Sequence, residues 1–297
     1  MIYELTHTTT YDYVNSVSLS HHILRLHPRD LHRQKCLRNK LQIQPAAAVT
    51  QSHLDYFGNE VTFVTVEGPH KHLIITSRSR IEAHASATPK PSETPAWETI
   101  GEQCLAAEPN GSVEAREFLF PSPRIKFQSE FADYALPSFT AGRPVLDAVL
   151  DLTRRIHEDF KFDPKATTVA TPLEQVVKTR RGVCQDFAHF EIACLRMMGV
   201  PARYVSGYLE TDPPPGKPRL TGADASHAWI SFYCPDTGWI DVDPTNNLLP
   251  STRHITVAWG RDYSDVSPIR GVILGSGEHT LKVAVDVIPA DEPQLPL

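Results

Sequence analysis

The segment from Arg180 to Tyr208 constrains the fold more than any other part of the chain. Phe187, Ala188, Cys194, Leu195 and Met198 recur at helical spacing, so a helix here turns an apolar stripe toward a core. Gly199 and Pro201 stop that helix, and an apolar run at 203–210 reads as a strand. A helix packed on a sheet implies an α+β fold. Cys184 falls in the helix's first turn, where unpaired backbone N–H groups and the positive end of the macrodipole favour a thiolate. Arg180 and Arg181 stand just upstream and add positive charge.

Residues 1–88 read as an antiparallel, sandwich-like β domain. Alternating stretches occur at 2–7, 23–26 and 40–43, and a Gly58-Asn59 turn separates two runs in a hairpin pattern. His21 and His22 are adjacent on a strand and point to opposite faces, which argues against a shared metal ion. Residues 89–143 read as a Pro-rich linker and two short helical pieces, at 97–107 and 113–120. From Pro144 a stronger helix begins, with Val145, Val149, Leu152, Ile156 and Phe160 on one stripe. Thr171, Pro172 and Glu174 form a helix-entry pattern with Thr171 as N-cap. The block 144–265 is expected to be the catalytic core. A Pro-rich loop at 212–218 reads as surface. The segment 266–297 reads as a β hairpin, 271–274 against 281–287, with the alternative that its last strand returns to pair with a β sheet, and a loose tail.

Two further strands, 227–234 and 238–243, carry His227 at one start and Asp243 at the other end. Their geometry depends on the loop between them. A four-residue loop puts His227 and Asp243 on opposite faces. A three-residue loop pairing Cys234 with Gly238 makes Asp243 a same-face diagonal neighbour of His227. The expectation is therefore a three-residue loop or a bulge at Gly238. His227 can then serve as the acid–base partner of Cys184. His189 lies about 140° around the helix from Cys184 and is assigned to packing or a hydrogen bond. Asp241 and Asp243 share one strand face, and spacing alone does not choose between them as the partner of His227. Zinc is disfavoured, because Cys184, His227 and Asp243 lack C-x-x-C or H-x-x-x-H spacing. Gly275-Ser276-Gly277 precedes no helix and is a turn rather than a phosphate loop.

Four motifs in order resemble the bacterial transglutaminase-like proteins, also described as candidate cysteine proteases. They are Gly-Val-Cys-Gln-Asp-Phe-Ala-His at 182–189, Pro-Ala-Arg-Tyr-Val-Ser-Gly-Tyr at 201–208, Ala-Ser-His-Ala-Trp at 225–229 and Gly-Trp-Ile-Asp-Val-Asp-Pro-Thr-Asn at 238–246. The resemblance implies a papain-like transglutaminase core, with the Cys184 helix packed on an antiparallel sheet behind the N-terminal β domain. It implies a triad of Cys184, His227 and Asp243, the last chosen because Asp-Pro-Thr matches the family motif. The Cys184 backbone N–H would supply one oxyanion donor. Gln185, Asp186, Trp229 and Asp241 are expected in the oxyanion site or the layer supporting the triad. The family often has a Tyr in the segment equivalent to 160–163. Phe162 stands there and has no hydroxyl, which leaves a second donor unassigned.

The implied activity is acyl transfer or hydrolysis at an amide, a glutamine carboxamide or a peptide bond, through a thioester. Transglutaminase, deamidase and protease chemistry all use these three residues. The contrasting reading is a non-catalytic binding or scaffold protein that keeps the fold; it has no need of Cys184, His227 and Asp243 together. The expected partner is a protein or peptide substrate, with no cofactor and no metal. The net charge of −6 gives no basic footprint for nucleic acid. No apolar run reaches the ~18–20 residues of a membrane span, and no signal peptide is evident. Five scattered cysteines make a poor disulfide framework, so a cytoplasmic location is expected.

Overall fold

Strand β1 (Ile2–Leu24) is the frame of the N-terminal half. Its Thr-, Tyr- and Val-rich sequence suits a long pleated strand. The account that follows rests on a computed structural model and describes residues 1–85, 87–106, 113–212, 222, 225–275 and 277–290. β1 pairs antiparallel along nearly its whole length with β4 (Glu60–Ala83). On the far edge of β4 lie β2 (Gln34–Gln44) and β3 (Val49–Leu54). The β3–β4 hairpin has Leu54 opposite Glu60, with Gly58 in the left-handed region at φ 71°, as the Gly58-Asn59 signal predicts. Register shifts between Asp12 and Leu19 reverse the inward face of β1. Tyr3, Leu5, His7 and Thr9 are buried before them, and Ser20, His22 and Leu24 after. Such bulges bend a strand and increase its twist.

β1 to β4 belong to one continuous six-stranded sheet, all antiparallel as expected, and its strands enclose a hydrophobic cluster that includes Tyr13, Val17, Val64, Val66, Leu73 and Ile75. The predicted C-terminal hairpin is corrected, whereas the return of the last strand to a sheet is found. β11 (Ile269–Leu274) and β12 (His279–Pro289) each pair with β1, against Leu19–Leu24 and Tyr3–Tyr13 respectively. The free edge of β1 is 23 residues long, and two shorter strands laid end to end satisfy its unpaired N–H and C=O groups.

Short helices α1 (Glu98–Leu105), α2 (Val113–Arg116) and α3 (Ser129–Ala135) follow; the last has no counterpart in the sequence reading. Helix α4 (Val145–Asp159) buries the predicted stripe of Val145, Val149, Leu152 and Ile156. A two-residue strand β5 (Lys161–Phe162) leads toward α5 (Leu173–Thr179). The N-cap of α5 is Pro172 rather than Thr171. The extended ψ of Pro172 (144°) delays the helix by a residue, and the Thr171 hydroxyl accepts from the Thr168 N–H instead. Strand β6 (Arg181–Gly182) pairs parallel with β5 and delivers the chain into α6 (Cys184–Met197).

Helix α6 is buried on every side from Asp186 to Arg196, more completely than a single stripe implies. It packs between α3, α4 and α5 and the second sheet. That sheet has the order β10 (His254–Gly260), β7 (Ala202–Leu209), β8 (Ala225–Cys234), β9 (Gly238–Val242), all antiparallel. The buried Arg196 guanidinium donates to the carbonyls of Ala202, Phe120 and Arg261, which ties the C-terminal end of α6 to the start of β7 and to two loops. Short α7 (Tyr263–Val266) links the second sheet back to β11. Tyr3, Leu5, Val285 and Val287 of the first sheet share one hydrophobic core with α4, α6, β7 and β8. The Pro-rich loop lies outside the described residues, apart from Asp212.

Candidate active site

Cys184 is the first residue of α6, with Val183 as N-cap in extended conformation. The start of the helix is held by Asp186, whose carboxylate accepts from the Val183 N–H at 2.8 Å and the Thr167 hydroxyl at 2.6 Å. Burial raises the pKa of Asp186 against these two bonds. Gly182 is required beside it: a Cβ there would lie 2.6 Å from Asp186 Oδ2. Asp186 is thus a support of the first turn. A carboxylate also cannot stabilise an oxyanion, which removes it from that role.

The β8–β9 hairpin has the predicted three-residue loop, with Cys234 opposite Gly238. Asp236 and Gly238 take positive φ, 64° and 86°. His227 Nε2 is 2.7 Å from Asp243 Oδ2. Asp243 is completely buried. Its other oxygen accepts from the N–H groups of Thr245 and Asn246, an Asx turn across Pro244. Burial lowers the pKa of His227, but hydrogen bonds to Asp243 and Cys184 outweigh it and push the imidazole up to about 10. Burial likewise opposes ionisation of Asp243, yet its bonds to His227, His254 and Asn246 hold it well below the usual carboxylate range. The structure therefore brings Cys184, His227 and Asp243 together.

Two residues the sequence reading missed complete this cluster. Asn246 Nδ2 donates to Asp243 Oδ2 at 2.7 Å, and His254 Nε2 stands 3.2 Å from the same oxygen. The Asx turn was readable in Asp-Pro-Thr-Asn; His254 comes from another strand and leaves no local signal. Trp229 is buried and stacks on His227 with ring centroids 6.1 Å apart. Its indole N–H donates to Asp241 Oδ2 at 3.2 Å, and Arg33 also donates to that oxygen. Asp241 and Asp243 share a face, as expected, but serve different partners. Gly207 makes room for Trp229, since a Cβ there would lie 2.6 Å from the indole. His189 accepts from the Tyr263 N–H and stacks near Tyr204, matching its assignment to packing and hydrogen bonding.

Among the described residues, His227, Asp243 and His254 are the three groups whose donor atoms could converge on a metal, all within 4.8 Å. Their 2.7 and 3.2 Å contacts are hydrogen-bond separations. Tetrahedral zinc with bonds of about 2.0–2.1 Å holds its ligands about 3.3 Å apart. The cluster fits a proton-bridged arrangement better than a metal site.

Cys184, Gln185 and His227 open onto a cavity of about 280 Å³. Tyr204, Ser206 and Tyr263 line it, together with Tyr11, Leu281 and Val283 of the first sheet. No Asp, Glu, Lys or Arg lines it among the described residues. Along β12, Val285 and Val287 are 1% and 0% exposed, whereas Leu281 and Val283 on the same face are 53% and 51% exposed. The apolar face of the first sheet thus runs on past the core and overhangs the cleft. Phe162 pairs with Gly182 just before Cys184 and is half exposed.

Comparison with known proteins follows this geometry. The family model for the bacterial transglutaminase-like N-terminal region matches residues 3–82, and that for the transglutaminase-like superfamily matches residues 135–244. An uncharacterized protein of Mycobacterium tuberculosis is 40% identical, over 97% of this chain and 92% of that protein. A protein-glutamine gamma-glutamyltransferase of Pseudomonas aeruginosa is 35% identical over 102 residues, 33% of this chain and 15% of that protein. The crystal structure of a candidate cysteine protease from Cytophaga hutchinsonii superposes with a TM-score of 0.76, at 21% identity over 100% of this chain and 93% of that one, a likeness of fold. No described helix is long and apolar enough to cross a membrane.

Proposed function

The chain belongs to the bacterial transglutaminase-like family, and on that footing we propose that it is a cysteine-dependent enzyme of amide acyl transfer, with Cys184, His227 and Asp243 as its triad. The observation that carries this reading is the buried His227–Asp243 bond of 2.7 Å, in a histidine held charged beside a cysteine at a helix start.

Asp243 accepts the Nε2 proton of His227, which leaves Nδ1 for Cys184. The Cys184 thiolate attacks the carbonyl carbon of an amide, and the π electrons move to the oxygen. The Cys184 backbone N–H lacks an intrahelical acceptor by its position and can receive that oxyanion. Two side chains lining the cleft carry further donors, the Gln185 amide and the Tyr204 phenol. As the intermediate collapses, His227 Nδ1 gives its proton to the departing nitrogen and a thioester remains. Water or an amine then attacks the thioester and passes its proton to His227, and the Cys184 thiolate leaves. Asp243 stays ionised throughout and holds the imidazole in position. The uncharged cleft and its apolar overhang favour an amide flanked by apolar or aromatic side chains.

The test is alkylation of each cysteine by iodoacetamide between about pH 5 and 9, mapped by mass spectrometry, in the parent and in His227→Ala. Cys184 is expected to react fastest at low pH and to lose that advantage in the variant. Labelling no faster than Cys36 or Cys104, indifferent to His227, would overturn the assignment. Product analysis on a glutamine peptide, with and without a primary amine, then separates the reactions. An amine adduct means a transferase, ammonia with the free acid a deamidase, and a cut backbone a protease.

A further inference from the structure

The sheet face turned away from α6 carries a second cavity, of about 420 Å³, distant in its lining from Cys184. Its walls come from Leu31 and Arg33 between β1 and β2, Ala87 to Pro89 after β4, Glu114 of α2, Thr237 in the β8–β9 loop, the strands β7, β9 and β10, and Leu249-Pro250. Arg203 of β7 lines it and is 8% exposed. The guanidinium lies between two indoles, 4.1 Å from the Trp239 centroid and 3.7 Å from that of Trp259. Both its faces are therefore covered by aromatic rings, and only its edges remain for hydrogen bonding.

Those edges find no protein acceptor. Among the described residues Arg203 has neither a hydrogen bond nor an ion pair, and its Nε is buried without a partner. The nearby carboxylate of Asp241 is engaged by Arg33 and the Trp229 indole. Arg29 adds a second guanidinium 3.5 Å from the other side of Trp259. Burial lowers the Arg203 pKa to about 9, so it is still a cation at neutral pH. Asp241 and Glu114 act on it only through space; a buried guanidinium with no acceptor at its edge is costly, and a structure tolerates it where an anion can be supplied from outside.

We infer that this cavity is a binding site for a small organic carboxylate, its planar carboxyl group paired with the edge of Arg203 and its apolar part against Trp239, Leu249 and Pro250. The guanidinium edge matches a carboxylate in a bidentate pair, and Trp239, Leu249 and Pro250 offer an organic acid an apolar contact that a compact inorganic anion cannot use.

Isothermal titration tests this with benzoate as probe, inorganic phosphate as the second anion and benzyl alcohol as the neutral control. Saturable one-to-one binding of benzoate is expected, tighter than phosphate, with none for benzyl alcohol. Arg203→Met should weaken benzoate at least about tenfold, which is about 1.4 kcal/mol. Because Arg203 is buried, a second pair of variants guards against misfolding. Ala87 is exposed at the rim, so Ala87→Glu should weaken benzoate and Ala87→Lys should not. The proposal is overturned by any of four results: no saturable benzoate binding, phosphate bound more tightly than benzoate, equal affinities in the two Ala87 variants, or unchanged affinity in an Arg203→Met protein that melts like the parent.

Discussion

The Asp243 carboxylate is held by His227, His254, Asn246 and two backbone N–H groups. Its folded pKa is depressed, so its contribution to stability is present above the unfolded value near 3.9 and is lost as pH falls through the folded one. His227 is raised to about 10. Its contribution is complete below the unfolded value near 6.5 and disappears as pH rises toward 10. The pair therefore stabilises the fold most between roughly pH 4 and 6.5. Asp243→Asn should lower kcat/KM by about 10³–10⁴-fold and flatten the decline in melting temperature between about pH 7 and 10. Activity within tenfold of the parent would contradict the triad. Glu191 is the opposite case. It is fully buried, bonded among the described residues only to the Thr153 hydroxyl, and raised by burial to about 8. The unfolded chain ionises it above about pH 4.3, so stability should fall from there to about pH 8. Glu191→Gln removes that slope. Calorimetry should find the variant more stable at pH 8, by about 2–4 °C for each kcal/mol in a chain of this size, and nearly equal to the parent at pH 4.

At the scale of elements, the site depends on close approaches that glycine alone permits. Gly207 on β7 faces His227 on β8, and a Cβ there would stand 2.1 Å from the Ile255 carbonyl oxygen. Gly207→Ala should force β7 and β10 apart or displace Trp229, which stacks on His227. We expect a loss of about 3 kcal/mol or more, seen as a lower denaturant midpoint, with reduced Cys184 alkylation. An unchanged midpoint would mean the sheet yields more easily than its packing implies. The same scale explains which sequence signals worked. The stripe on α4 and the loop length between β8 and β9 are local patterns, set by 3.6-residue and two-residue periods. The helix α3 is seven residues long with two buried side chains, Phe131 and Ala135, too short for a 3.6-residue period to stand out in the sequence. The N-cap of α5 moved one residue because Pro172 takes an extended ψ.

Considered as a whole molecule, the N-terminal sheet is part of the candidate site. Tyr11, Leu281 and Val283 line the same cavity as Cys184 and His227, brought there by the pairing of β12 with β1. Val283→Asp places a charge on a half-exposed position, so the fold should survive with a melting temperature close to the parent's. Its kcat/KM for amides flanked by apolar residues should fall about tenfold, while iodoacetamide labelling of Cys184 stays fast. Equal losses on polar-flanked and apolar-flanked peptides would argue against a contact with substrate.

The sequence by itself determined the α+β class, the helix that starts at Cys184, the three-residue hairpin loop and the three residues that meet, because each is written in short-range periodicity, turn chemistry or ordered motifs. Tertiary structure decided the rest. It sent β11 and β12 to the open edge of β1 instead of to each other, since a long unpaired edge offers more hydrogen bonds than a small hairpin. It brought His254 to Asp243 and enclosed Arg203 between Trp239 and Trp259. These contacts join strands distant in the chain, and no local pattern encodes which distant partner a buried charge will find.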